Sequence, residues 1–128
     1  MGTQVGKQTI KFDNEPRIAQ HVAIVGPKEG EGPLASYFDQ ILDDVLWGED
    51  SWEKAESKIL RETILMLIKK ANLNLTDIRY IFAGDLLSQL IASTFAMRPL
   101  GIPFLGLYGA CSTMGESLIL SAIETATQ

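Results

Sequence analysis

The run Ile102-Pro103-Phe104-Leu105-Gly106-Leu107-Tyr108-Gly109-Ala110-Cys111-Ser112-Thr113-Met114-Gly115-Glu116-Ser117 constrains the fold more than any other stretch. An apolar segment stops at small residues and restarts as a helix. Pro103 punctuates the entry to a strand, Phe104 to Tyr108 read as a short buried strand, and Gly109-Ala110 permit a tight reversal. Ser112 or Thr113 then caps a helix whose apolar positions Met114, Leu118, Ala122 and Ala126 recur every four residues. The single cysteine, Cys111, falls at the bend. Backbone N–H groups and the positive end of a helix dipole stabilise a thiolate at such a place, and they also bind an external carboxylate.

An elbow of this kind joins a buried strand to a helix, so the rest of the chain is read for a sheet that holds it. His21 to Gly26 read as a buried strand by their β-branched content, and the Gly-Pro-rich stretch from Gly26 to Leu34 as a surface loop. That loop lacks the endings of nucleotide-binding loops. Leu34, Phe38, Ile41, Leu42 and Val45 are spaced for a helix, with Asp39, Asp43 and Asp44 on a solvated face. A second, longer helix starts at Asp50 or Ser51 and carries Trp52, Ala55, Ile59, Thr63, Met66 and Leu67 on one face. Ile78 to Ala83 read as a buried strand and Leu86 to Met97 as the helix after it. Residues 1–20 are an extended lead-in with one edge strand at most, and 21–128 carry the domain.

The order strand, two helices, strand, helix, strand, helix implies an α/β fold, a mostly parallel sheet flanked by helices. Asp85 and Cys111 then share the carboxyl edge of that sheet, where ligands collect in open α/β folds. Asp85 is either an N-cap of its own helix or, with Gln89 one turn later, part of a site. Cys111 is either packed or reactive. Lone His21 has no partner at metal-ligand spacing, the aspartates do not follow a calcium-loop pattern, and no metal or cofactor motif is recognised.

Composition narrows the partners. A net charge of −5 with a pI near 4.8 argues against nucleic acid and against an anionic membrane surface as the main electrostatic partner. One cysteine forms no internal disulfide and suits a reducing, intracellular compartment. No secretory leader and no apolar run long enough to span a bilayer is present, so membrane association would be peripheral.

Four blocks resemble the stage V sporulation protein AD family. They are Gly26-Pro27-Lys28-Glu29 with Gly32-Pro33-Leu34, Ser51-Trp52-Glu53-x-Ala55-Glu56, Ala83-Gly84-Asp85-Leu86-Leu87-x-Gln89, and Ile102-Pro103-Phe104-Leu105 with Gly109-Ala110-Cys111-Ser112-Thr113. The resemblance implies a thiolase-like αβαβα fold, here only part of its first half. It implies a sporulation protein that binds dipicolinic acid, alone or as its calcium chelate, and supports uptake into the spore. The partners implied are products of the same operon, at the spore inner membrane.

By the same resemblance Asp85 and Cys111 map to the ligand pocket, and Gln89 and Ser112 complete the candidate set. Two alternatives accompany it: a thiolase-like acyltransferase with Cys111 as acyl nucleophile, and a structural subunit of a spore membrane complex. The chain departs from the family in Ser88, where asparagine is expected, and in stopping at Gln128, where the family continues into a second half. That second half would bring the remaining thiolase-type catalytic groups. Its absence predicts an open sheet edge that favours a dimer or higher homo-oligomer.

Overall fold

A computed structural model describes residues 2–127. The lead-in is more ordered than its polar sequence predicts. Gly2–Val5 (β1) and Thr9–Phe12 (β2) pair as an antiparallel hairpin, with Gly6 in the left-handed region at the turn. Ile24–Val25 (β3) is the strand expected from 21–26, shortened to its centre. Pro27–Gly30 (α1) follows as a single turn begun by its proline.

The helix expected over 34–45 is not formed. A 3-10 turn at Ala35–Tyr37 leads into Gln40–Ile41 (β4), which pairs in parallel with β3. Asp39 explains the difference. It accepts the Ala23 amide at 2.9 Å and the Lys70 ammonium at 2.6 Å, holding the segment extended against β3. An isolated helix here would be marginal, and tertiary pairing overrides the spacing. Asp39 is thus a tether rather than part of a solvated face, and its hydrogen bond from Lys70 leads the causes that hold its carboxyl below 3.8.

Trp52–Lys70 (α2) is the long helix the sequence predicts. Ser51 is its N-cap, its hydroxyl accepting the Lys54 amide, and Asn72 ends it in the left-handed region. Ile81–Ala83 (β5), Ile91–Met97 (α3), Phe104–Gly106 (β6) and Thr113–Ala126 (α4) complete the chain. Strands β5 and β6 are parallel, with Ile81 opposite Phe104 and Ala83 opposite Gly106. The architecture is mixed α/β, short parallel sheets flanked by helices. The β3–β4 and β5–β6 pairs remain separate two-stranded sheets.

The core lies where α2 and α3 cover the β5–β6 pair. Ala96, Met97, Leu100 and Ile102 are buried there, with Leu60, Ile64, Ile78, Ile81, Ala83 and Phe104 packed against them. Helix α4 packs on β5, yet its expected apolar stripe is only partly covered: Ala126 is buried while Met114 and Leu118 are exposed. No helix among the described residues is long and apolar enough to cross a membrane.

Candidate functional site

Strand β5 ends at Ala83, and the next two residues fix the local geometry. A β-carbon at Gly84 would collide with the Leu107 carbonyl, so the chain passes here with backbone against backbone. Asp85 follows, 6% exposed. One of its oxygens, Oδ1, accepts the amides of Leu90 at 3.0 Å and Ser88 at 3.4 Å. The other, Oδ2, accepts the Ser93 amide at 2.8 Å and the Ser93 hydroxyl at 2.7 Å.

These bonds explain why α3 starts at Ile91 rather than at Leu86. Gln89 and Leu90 both have positive φ, and Leu90 at the N-cap has no side chain able to accept a hydrogen bond. Asp85 supplies the cap from a distance, holding a left-handed loop together as it does so. Burial alone would raise the Asp85 pKa; the hydrogen bonds from Ser93, Leu90 and Ser88 outweigh it and hold the carboxyl below 3.8.

The elbow forms the facing wall. Ala110 takes the left-handed conformation at φ 51, a 3-10 turn covers Ala110–Ser112, and Cys111 is exposed at the threshold of α4. The cap expected from Ser112 is not made. Its backbone is already helical, and its hydroxyl lies within hydrogen-bond distance of two acceptors, the Gly109 carbonyl and the Glu116 carboxylate, for its one proton. Thr113 faces the other way and accepts the Gly109 amide at 3.0 Å.

Between these walls lies an open cleft of about 450 Å³. Asp85 and Cys111 both line it, with Gly84, Glu56, Thr113 and Ser117. Gln89 and Ser112 are not among its lining residues. No lysine, arginine or histidine lines it, and no group of three potential metal ligands occurs among the described residues.

Glu56 is the lining residue that the periodicity of α2 passes over. Its Oε1 accepts the Leu86 amide at 3.4 Å, and its Oε2 is buried with no hydrogen-bond partner among the described residues. Burial is the first cause that raises its pKa above 4.5; the Asp85 charge adds to it, and the amides of Leu86 and Leu87 partly offset it. The signal was present: Glu56 sits four after Trp52 and three before Ile59, a carboxylate on the apolar stripe of α2.

This raised pKa has a measurable consequence. The folded state holds the Glu56 proton more tightly than the unfolded chain, so its ionisation penalises the fold as pH rises from about 4.5 through the raised value. Glu56→Gln is therefore expected to melt a few degrees higher than the unaltered protein at neutral pH, with the gap closing in acid. Thermal melts across pH test this; equal melting temperatures at neutral pH would contradict it.

A sequence profile of the family described as Stage V sporulation protein AD (SpoVAD) matches residues 6–127. Stage V sporulation protein AD of Bacillus subtilis (strain 168) is 38% identical over 117 residues, covering 91% of this chain and 35% of that relative. The chain thus spans about a third of the length of the curated relative it matches. The profile match runs from the turn and second strand of the hairpin through both parallel strand pairs, the Asp85 loop and the elbow, and on it the chain belongs to the stage V sporulation protein AD family of sporulation proteins.

Proposed function

We propose that the cleft between the Asp85 loop and the Cys111 elbow binds dipicolinic acid, and that the protein supports its uptake into the developing spore. The observation that carries this reading is the meeting of two loops at one edge. The end of β5 and the start of α4, distant in sequence, line a single cleft within the size range of small-molecule sites. The N-terminus of α4 favours an anion, and it carries no side-chain cap. Asp85 does not oppose one strongly, because its charge is spread over four donors from its own loop. In this reading the protein works peripherally at the spore inner membrane, with other products of its operon and as a homo-oligomer.

Calorimetry with dipicolinate on the protein as expressed from its gene tests the site. Cys111→Ala is expected to weaken binding about tenfold or more, the effect of about 1.4 kcal/mol lost contact energy. Bound dipicolinate should also slow alkylation of Cys111, whose position as the single cysteine makes that readout unambiguous. Undiminished binding by the variant together with unprotected alkylation would move the ligand elsewhere.

Acyl transfer remains a second reading because Cys111 is exposed at the start of a 14-residue helix. Mass spectrometry after incubation with acyl-CoA donors would then show an adduct on Cys111; an unmodified thiol excludes it for those donors.

A further inference from the structure

Glu56 reaches the cleft from α2, a wall that neither the Asp85 loop nor the elbow supplies. One oxygen is tied to the Leu86 amide; the other is buried and makes no hydrogen bond of ordinary geometry among the described residues, although the Leu87 amide also acts on the carboxyl. A buried carboxylate oxygen without a donor is costly, whereas a protonated one is itself a donor in search of an acceptor. The surroundings supply no cation to change that balance. The groups acting on Glu56 are the Asp85 carboxylate from the β5–α3 loop, Glu53 on its own helix and the Leu86 and Leu87 amides, while Cys111 and Thr113 line the same cleft. Both nearby charges are negative.

We propose that Glu56 is a specificity-determining residue of this cleft: its carboxyl, held on the unpaired side by no other group, turns toward the bound ligand and in its protonated form donates a hydrogen bond to a ligand carboxylate. The inference rests on the cleft binding a carboxylate ligand, and it adds a condition to that binding. An anion entering a cleft lined by no lysine, arginine or histidine must be held by neutral donors. Glu56 provides one only in its protonated form. Ionised, it would place a further negative charge against the ligand. Capture of a dicarboxylate is thereby coupled to retention or uptake of one proton. The proton stays on the glutamate or is shared with the ligand, and no bond other than the hydrogen bond is made.

The test is dipicolinate calorimetry above pH 6, where a ligand with carboxyl groups of ordinary acidity, about pH 4, is fully ionised. Affinity of the unaltered protein is expected to fall as pH rises, approaching about tenfold per pH unit above the midpoint of Glu56. Titrations in buffers of different ionisation enthalpy should show net proton uptake over the same range. Glu56→Gln keeps an acceptor for Leu86 and gains a permanent donor, so its affinity should be independent of pH. Pyridine-2,6-dicarboxamide, which has no charge to repel, should bind the unaltered protein equally across the range.

Binding without proton uptake and with a flat pH profile overturns the role of Glu56 while leaving the dipicolinate site intact. So does a Glu56→Gln variant as pH-sensitive as the unaltered protein. Absence of dipicolinate binding at every pH overturns the site reading and this inference with it. The proton-uptake measurement uses the unaltered protein, so it decides the matter even if the variant fails to fold.

Discussion

Gly84→Ala is expected to cost the fold about 3 kcal/mol or more. The added carbon would meet the Leu107 carbonyl directly and the Thr113 methyl at 2.8 Å. Neither neighbour can step aside cheaply. Leu107 is held by its amide bonding the Ala83 carbonyl at 3.0 Å, which continues the β5–β6 pairing, and Thr113 is held by the Gly109 amide. The β5–β6 pair would have to part at the end that lines the cleft, so the proposed dipicolinate binding should fail along with stability. Gly115→Ala is the matching control. It adds the same methyl to α4 with open space around it, and is expected to gain about 0.5–1 kcal/mol from helix propensity. Urea midpoints of the two variants measure both effects; a Gly84→Ala midpoint equal to that of the unaltered protein would show that the two loops are not in contact.

Asp85→Ala should lose about 2–4 kcal/mol, because four donors are left without their acceptor and two of them are buried with Ser93. Gln89 and Leu90 have no other evident reason to stay left-handed, so the loop should relax and α3 fray at its start. The pH dependence has a defined sign. A carboxyl held below its unfolded value contributes stability that is present above about pH 3.8 and is lost as pH falls through the depressed folded value. Asp85→Asn should therefore be less stable than the unaltered protein at neutral pH, with the difference shrinking in strong acid. A constant difference down to pH 2, about two units below the ordinary range, would mean that the charge on Asp85 does not matter to the loop. Binding by Asp85→Ala needs to be read beside its melting curve, since the loop and the cleft wall are one structure.

Much of the architecture was legible because the signals were local and redundant. For α2, a serine cap, a sustained apolar stripe and a left-handed asparagine agree, and the helix runs as its sequence predicts. The elbow is legible in outline, but its strand stops at Gly106 instead of Tyr108, with Leu105 and Tyr108 exposed where a buried strand is expected, and its cap is not made. Ser112 has the right side chain on the wrong backbone, already helical, and no sequence pattern distinguishes the two.

The spacing over 34–45 suggests a helix that does not form because Asp39 acts across the fold, tying Ala23 and Lys70, and the spacing carries no trace of those partners. Asp85 was placed at the correct edge, but its reach to Ser93 made it a loop organiser as well as a lining residue. Glu56 escaped because helical periodicity weighs apolar positions and treats a lone acid among them as noise. Position on the stripe was the clue.

The backbone contact at Gly84 also limits how this cleft can change over time. Two of its walls are set by main chain meeting main chain, so exchanging side chains there cannot widen the gap between them. The adjustable part is the exposed flank of α4, where Met114 and Leu118 line the cleft and stand largely in solvent. Divergence toward a bulkier ligand would therefore be written at those two positions, while Gly84 and Asp85 stay fixed as the gauge of the opening.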